Sequence, residues 1–184
     1  MNNKTNEYRA RLRELLIEKA VRFGEFTLTS GRKSTHYIDG KQITLDAEGA
    51  FLTACVVLDH LCDVEFDALG GPTLGADPIV GAAAAESYRR GKPILVFIVR
   101  KEPKKHGTGQ FIEGSLPPGS SVVLIDDVVT SGGSLLRAAR VVEEMDCRVV
   151  KLIALVDRME EKLPEMNRYD YDPIFTLEDL GIKK

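Results

Sequence analysis

The chain has 184 residues, of which 43% are hydrophobic, so it can form one compact domain and has little room for a second. Its formal net charge of -3 argues against a surface that binds nucleic acid, because such a surface is normally strongly basic. No segment approaches the ~18 apolar residues of a membrane span, and the three cysteines form no CxxC pair. We therefore expect a cytoplasmic protein with neither nucleic acid nor membrane as a partner.

The N-terminal part predicts a helix followed by two short strands. Apolar residues recur at helical spacing over residues 7–23 at Leu12, Leu15, Leu16 and Ala20. Gly24 stands where a left-handed helix terminator belongs. Residues 26–28 and 37–38 are predicted strands on either side of a turn at 30–33.

The next segment predicts a capped helix and a short strand. Asp46 is a typical N-cap, and the helix that it begins is expected to end near Cys62. The apolar face of this helix is predicted to be Ala50, Phe51, Ala54, Leu58 and Leu61. Residues 66–69 are a predicted strand, which Gly-Gly-Pro at 70–72 is expected to break.

The rest of the chain alternates apolar runs with helical patterns. Asp77 is predicted to cap a helix that has Pro78 at its first position. Residues 94–99 and 122–125 are apolar runs typical of strands buried on both faces. The elements that follow are a helix over 132–145, a strand over 149–156, and a short strand with one helical turn over 174–180. This alternation predicts an α/β fold with a mostly parallel, twisted sheet flanked by helices.

One strand junction carries most of the chemistry. The run 122–125 delivers Asp126 and Asp127 to a loop of small residues, Val128-Val129-Thr130-Ser131-Gly132-Gly133-Ser134, which enters a helix. The glycines allow the backbone to approach a ligand, and the helix N-terminus favours an anion such as a phosphate monoester. The two carboxylates can bind vicinal sugar hydroxyls or a hydrated magnesium ion. Either aspartate alone would be read as an ordinary strand end or turn.

Residues 122–134 resemble the signature with which type I phosphoribosyltransferases bind phosphoribosyl pyrophosphate (PRPP). Other phosphate-binding motifs fit worse, because the chain has no P-loop sequence, no GxGxxG after a strand and no Asp-x-Asp motif like that of aspartyl phosphatases. The resemblance implies the type I phosphoribosyltransferase fold in a single domain over residues 1–184. In that fold, residues 1–45 and the C-terminal tail would form a small hood.

A second group of motifs resembles the orotate phosphoribosyltransferases. The segment 100–107, Arg-Lys-Glu-Pro-Lys-Lys-His-Gly, is similar to the catalytic loop of that family, and residues 26–34 and 155–158 match it in the same order. In isolation, residues 100–109 would be read as a solvated surface loop. Their position after a buried strand instead places cations where pyrophosphate leaves, and glycines at 107, 109 and 114 permit a moving lid.

The resemblance assigns roles by position. PRPP would be bound by Arg100, Lys101, Lys104, His106, Asp126, Asp127, Val128, Val129, Thr130, Ser131, Gly132, Gly133 and Ser134. Those with catalytic roles would be Asp126, Asp127, Lys101, Lys104 and His106, with His106 as a general acid toward pyrophosphate. Orotate would be bound by Thr130 and Arg158, because a guanidinium fork matches a carboxylate. For Arg158, a surface arginine beside two glutamates is the alternative.

The implied activity is transfer of the 5-phosphoribosyl group of PRPP to orotate, giving orotidine 5′-phosphate and pyrophosphate in de novo pyrimidine (UMP) biosynthesis. Magnesium would be the cofactor, held mainly by PRPP and water, with no protein ligand assigned. A homodimer with shared active sites is implied, since the family donates part of the catalytic loop to its neighbour. The alternatives are a purine or uracil phosphoribosyltransferase and a non-catalytic regulator that senses PRPP.

The chain departs from the best-known family pattern at three places. Thr29 replaces a lysine that many members carry, and Leu74-Gly75 stands where many have an aromatic residue and a lysine. The segment Tyr37-Ile38-Asp39-Gly40 replaces a more aromatic segment that stacks on the base. Lys41 is a candidate replacement for the missing cation.

Overall fold

A computed structural model of the chain describes residues 3–27, 33–103, 111–159 and 162–182. The α-helices in this part are α1 (Asn3–Leu15), α2 (Lys41–Thr44), α3 (Ala47–His60), α4 (Asp77–Arg89) and α5 (Gly133–Glu143). A π-helical turn, Leu16–Ala20, extends α1, and a 3-10 turn covers Pro164–Arg168. The strands are β1 (Val21–Thr27), β2 (Lys33–Ile38), β3 (Ala68–Pro72), β4 (Leu95–Val99), β5 (Ile112–Gly114), β6 (Ser121–Val129), β7 (Arg148–Asp157) and β8 (Phe175–Thr176).

The described strands form two sheets. β1 and β2 pair antiparallel as a small N-terminal sheet of their own. The main sheet has the order β5-β4-β3-β6-β7-β8, and its neighbouring strands run parallel except for β4 and β5. The predicted α/β class, with a mostly parallel sheet flanked by helices and a small N-terminal hood, is confirmed. Within the same ranges, no helix is both long and apolar enough to cross a bilayer.

The main sheet is covered on both faces, which explains the wholly apolar run at 122–125 in its central strand, β6. Val123 and Ile125 of β6 pack into a cluster that also contains buried residues of α1, α3 and α4. Val122 and Leu124 face the other way, into a cluster with α5 and Met166. Alternate residues of a strand point to opposite faces. The part of a strand that lies between two helical layers therefore needs apolar residues on both faces, as residues 122–125 have.

The C-terminal tail is built into the first of these clusters. β8 adds to the outer edge of the sheet beside β7, and Phe175 is buried against the α1 side. Arg9 of α1 donates a hydrogen bond from Nη2 to the carbonyl of Ile174, and its guanidinium lies 4.7 Å from the Phe175 ring centroid. Arg13 donates from Nε to the carbonyl of Asp179. The assignment of residues 1–45 and the tail to a hood stays a prediction.

The first helix ends earlier than the sequence predicts. The apolar stripe stops at Ala20, and β1 begins at Val21 because the next residues pair with β2, as Val21 does with Ile38. Gly24 lies inside β1, where the pairing register shifts, so its predicted role as a helix terminator is wrong.

Other local predictions need correction. The Asp46 cap is confirmed, since its Oδ1 accepts from the Gly49 amide at 2.9 Å. Phe51 was placed on the buried face of α3 but is 42% exposed, because that face is rotated toward Leu52, Cys55 and Val56. Asp77 is the first residue of α4 and not its cap. Its Oδ2 accepts from the Thr73 hydroxyl at 2.9 Å.

The Gly-Gly-Pro segment continues β3 and does not break it. A Cβ on Gly70 would lie 2.4 Å from the Phe97 ring, and one on Gly71 would lie 2.0 Å from the Ile125 carbonyl oxygen. The glycines are therefore needed inside the sheet, where neighbouring strands and a large ring come close. The sequence analysis also missed β5, α2 and the 3-10 turn, all of which are five residues or shorter.

Candidate active site

Several of the residues singled out in the sequence, among them Arg100, Asp126, Asp127 and Arg158, lie at the carboxyl ends of strands of the main sheet. Because β3, β4, β6 and β7 are parallel, the loops that leave their carboxyl ends meet there, as in other open α/β sheets. The backbone joins two of these loops directly, since the Arg158 amide donates to the Val129 carbonyl at 2.8 Å. The Thr73 amide likewise donates to the Val99 carbonyl at 2.9 Å.

The loop after β6 forms a small cradle at the N-terminus of α5. A cavity of about 60 Å³ is lined by Asp126, Val128, Val129, Thr130, Ser131, Gly132, Gly133, Ser134 and Leu135. Gly132 has φ 88°, and a Cβ there would lie 2.5 Å from the Met166 sulfur. The first amides of a helix have no acceptor within it and attract anions. The cradle therefore suits a phosphate monoester.

The two aspartates lie within β6 and not beyond its end, because the strand continues to Val129. Both are buried, and their side chains are held by local amides. The Asp127 amide donates to Asp126 Oδ1 at 3.0 Å, and the Val128 amide donates to Asp127 Oδ1 at 2.9 Å. Burial and the neighbouring Asp127 carboxylate raise the pKa of Asp126 to about 8.

Two glycines from other elements approach the acid pair. A Cβ on Gly75, in the loop after β3, would lie 2.2 Å from Asp126 Oδ1 and 2.4 Å from Asp127 Oδ1. A Cβ on Gly40, after β2, would lie 2.8 Å from Asp127 Oδ2. No larger residue fits at either position without moving the carboxylates.

Lys41, just after β2, contacts Asp127 of the acid pair. Its Nζ lies 3.3 Å from Asp127 Oδ2 and 3.4 Å from Asp39 Oδ1. Partial burial lowers the pKa of the Lys41 ammonium, but the charges of Asp127 and Asp39 outweigh this effect and raise it overall. In the sequence, Lys41 was a candidate replacement for the missing family lysine. The structure places its ammonium beside Asp127.

Arg158 is buried, with 5% of its surface exposed, so the alternative of a surface arginine is wrong. Its Nη2 donates to the Ser34 hydroxyl at 3.1 Å and to the His36 carbonyl at 3.4 Å, both on β2. Its Nε is buried and has no hydrogen-bond partner among the described residues. A buried guanidinium with a spare donor is a strong candidate for binding an anionic ligand.

The predicted pyrophosphate loop is described only at its start. Arg100 follows β4, and its Nη1 pairs with Glu113 of β5 at 2.9 Å. Lys101 is exposed beside it. Lys104 and His106 lie outside the described residues, as do the glycines at 107 and 109. The roles assigned to Arg100, Lys101, Lys104 and His106 stay predictions.

Comparisons with known proteins agree on one family. The family model described as the phosphoribosyl transferase domain matches residues 50–179. An orotate phosphoribosyltransferase from Synechocystis is 40% identical over 177 residues, which cover 95% of this chain and 89% of that protein. The chain belongs to the orotate phosphoribosyltransferase family.

Solved members of the family share the fold. The orotate phosphoribosyltransferase of Mycobacterium tuberculosis, in complex with Fe(III) dicitrate, superposes with a TM-score of 0.82 at 34% identity, over 95% of this chain and 99% of that one. The same enzyme in complex with PRPP superposes with a TM-score of 0.78 at 31% identity, over 95% and 99% of the two chains.

The departures from the family pattern have distinct structural settings. Gly75 has its backbone against both aspartates, while Leu74 is 62% exposed. Tyr37 points away from the buried face of β2, which carries Ser34, His36 and Ile38. Thr29 lies outside the described residues.

Sequence reasoning missed the contact roles of Ser34, Gly40 and Gly75. The alternation along β2 could have found Ser34, because Ser34 and His36 share one face of the strand. The sequence carries no signal for the two glycines, because their neighbours lie on β6. Such contacts follow from the fold and not from local spacing.

Proposed function

We propose that the protein transfers the 5-phosphoribosyl group of PRPP to orotate, giving orotidine 5′-phosphate and pyrophosphate. The observation that carries the proposal is the pairing of a phosphate-sized cradle and acid pair on β6 with the buried guanidinium of Arg158 after β7. A sugar phosphate and a carboxylate-bearing base can bind side by side at such a pair of strand ends. The family membership supports the same reaction.

The sugar phosphate would occupy the β6 loop. The amides and hydroxyls from Thr130 to Ser134 would bind the 5-phosphate, because these residues line the cavity at the α5 N-terminus. Asp126 and Asp127 would bind the ribose hydroxyls beside it. Asp126, with its raised pKa, can donate a hydrogen bond, whereas Asp127 beside Lys41 can accept one.

The base would lie between β2 and the strand end that carries Arg158. The free Nε of Arg158 would donate to the orotate carboxylate, and Nη2 is already held by Ser34. Thr130 is exposed at the mouth of the cradle and is proposed as a second base contact. A site built around a buried cation favours an anionic base over neutral uracil or a purine.

In the proposed reaction the base nitrogen attacks the anomeric carbon while the bond to pyrophosphate breaks. Pyrophosphate leaves with the bonding electrons, and the base nitrogen releases its proton to solvent. The Asp127 carboxylate near the developing positive charge of the ribose, and cations on the leaving group, would lower the barrier by electrostatic stabilisation and positioning. Arg100, Lys101, Lys104 and His106 would hold pyrophosphate, with His106 as the general acid. No covalent enzyme intermediate is needed.

Magnesium is proposed as the cofactor. It would neutralise the phosphate charges of PRPP. No group of three or more His, Cys, Asp or Glu side chains converges as a metal site within the described ranges. PRPP oxygens and water would therefore supply most of its ligands. A homodimer that shares its catalytic loop between subunits, and a cytoplasmic location, belong to the same proposal.

A base panel tests the function. The purified protein with PRPP and magnesium should consume orotate and release pyrophosphate. The consumption of orotate is monitored by the loss of its ultraviolet absorbance. Uracil, hypoxanthine and adenine should give little release under the same conditions. Turnover of a neutral base in preference to orotate would assign another transferase activity. PRPP binding in calorimetry without pyrophosphate release from any base would indicate a regulator.

A further inference from the structure

The turn that leaves β2 is built to hold Lys41 in one place. The Lys41 amide donates to Asp39 Oδ1 at 3.2 Å, and the Gln42 side chain donates to Asp39 Oδ2 at 3.1 Å. The amides of Ile43 and Thr44 both donate to the Gly40 carbonyl at 3.0 Å. The start of the Lys41 side chain is therefore fixed by its own turn before any long-range contact is made.

From this turn, the Lys41 ammonium reaches an acid on the central strand. Its Nζ lies between Asp39 Oδ1 and Asp127 Oδ2, although Asp127 is 86 residues away in sequence. The side chain of Asp127 is 9% exposed, whereas that of Lys41 is 40% exposed. The ion pair is therefore partly open to solvent on the Lys41 side, with its carboxylate on the buried side.

The contact fixes Asp127 at both oxygens. Oδ1 accepts from the Val128 amide, and Oδ2 faces the Lys41 ammonium. A carboxylate held at each oxygen cannot rotate freely, yet each oxygen keeps a lone pair for a ligand hydroxyl. Gly40 makes this approach possible, because its missing Cβ would lie 2.9 Å from Asp127 Cβ.

We propose that Lys41 is a positioning residue for PRPP, acting through Asp127, whose carboxylate it orients toward the ribose while tying the hood to the sugar-phosphate site. The inference deepens the proposed function and rests on it. Pre-orienting a binding group lowers the cost of ordering it when the ligand arrives. Lys41 would thus contribute to PRPP binding through the Asp127 carboxylate, without contacting pyrophosphate itself.

The first test compares Lys41→Met and Lys41→Arg with the control Lys19→Met. Lys19 also pairs with an aspartate, since its Nζ lies 2.8 Å from Asp46 Oδ2, but Asp46 is the N-cap of α3 and not a member of the acid pair on β6. Lys41→Met should weaken PRPP binding, measured by calorimetry without base, by roughly 10- to 100-fold. The KM for PRPP should rise while the KM for orotate stays unchanged.

The conservative variant and the control separate positioning from folding. Lys41→Arg keeps a cation that can reach Asp127 and should restore most of the PRPP affinity, whereas Lys19→Met should leave it unchanged. Thermal unfolding of all three checks that each is folded. Wild-type PRPP affinity in Lys41→Met would overturn the proposal. So would an equal loss in Lys19→Met, or no recovery in Lys41→Arg.

A double-mutant cycle tests whether Lys41 acts through Asp127. Adding Lys41→Met to Asp127→Asn should weaken PRPP binding by about twofold or less, because the charge that Lys41 orients is already gone. An equally large loss in both backgrounds would mean that Lys41 acts on PRPP directly and would overturn the proposed route. Because binding is measured without base, a wild-type protein that fails to use orotate would reject the proposed function and leave this test intact.

Discussion

Arg158 Nη2 lies 3.1 Å from the Ser34 hydroxyl, although the two residues are 124 positions apart in sequence. The bond joins the end of β7 to the two-stranded N-terminal sheet. Ser34 Oγ in turn donates to the His36 carbonyl at 2.8 Å, so one strand holds the guanidinium at two points. The side chain is thereby oriented before any ligand binds.

Replacing Arg158 should separate base binding from PRPP binding. Arg158→Lys keeps the charge but loses the fork and its free Nε, so kcat/KM for orotate should fall by roughly 10- to 100-fold. PRPP affinity in calorimetry should not change. Arg148→Lys is the matched control, because Arg148 begins the same strand and its guanidinium bonds to the half-buried Ser121 hydroxyl, at the end of the strand away from Arg158. A control as impaired as Arg158→Lys would contradict the assignment.

Gly132 should tolerate no side chain. Its left-handed backbone disfavours alanine, and the added Cβ would collide with the Met166 sulfur. Gly132→Ala should lower the free energy of unfolding by about 2–3 kcal/mol and weaken PRPP binding. Gly181→Ala is the control for backbone strain alone, because Gly181 has φ 74° and open space around it. Its cost should be near 1 kcal/mol, with PRPP affinity intact. Equal losses in urea unfolding would argue against the collision.

Gly75 should be intolerant for a different reason. Its backbone is ordinary, but a Cβ would press on both Asp126 and Asp127. Gly75→Ala should therefore reduce PRPP affinity by roughly tenfold or more, read by calorimetry. Gly81→Ala, in α4 with nothing within 4 Å, should keep that affinity and raise stability by about 0.5–1 kcal/mol. Unchanged PRPP binding in Gly75→Ala would show that the carboxylates can move without cost.

Asp126 should make stability fall as pH rises. Its pKa is about 8 in the folded chain and returns to ~3.9 on unfolding, so the folded state binds the extra proton between these values. Its contribution is fully present below about pH 4 and is lost as pH rises through about 8.

Asp126→Asn cannot ionise and should lose this dependence. Relative to wild type, its free energy of unfolding should increase by at least about 1 kcal/mol between about pH 5 and pH 8. Urea unfolding at several pH values measures the difference. A difference that is constant with pH would mean that Asp126 is ionised throughout.

The sequence predicted the parts of the molecule that repeat a simple pattern. The apolar run at 122–125 could be recognised as a central strand, because burial on both faces forces every position to be apolar. The acid pair and the glycine-rich loop were also found, since their chemistry is contiguous in sequence. The Asp46 cap depended on a single local hydrogen bond and was correct for the same reason.

The errors arose where tertiary contacts override local preference. Gly70 and Gly71 resemble a strand breaker, yet the Phe97 ring and the Ile125 carbonyl require glycine inside β3. The β1–β2 pairing ended the first helix, and β5 is itself an edge strand that pairs with β4 over only three residues. The contacts of Ser34 and Lys41 with β6 and β7 could not be read from spacing, because they join segments more than 80 residues apart.

The contacts of Arg9 and Arg13 with the C-terminal tail connect both ends of the chain to the strand that precedes Arg158. The outer neighbour of β7 is β8, and β8 keeps its place through the arginines of the first helix. A truncation before Ile174 would remove buried residues of the hydrophobic core, and not only an exposed tail. Loss of β8 would leave β7, the strand that Arg158 follows, without its outer neighbour. We therefore expect a truncation at either terminus to disturb the proposed orotate site as well.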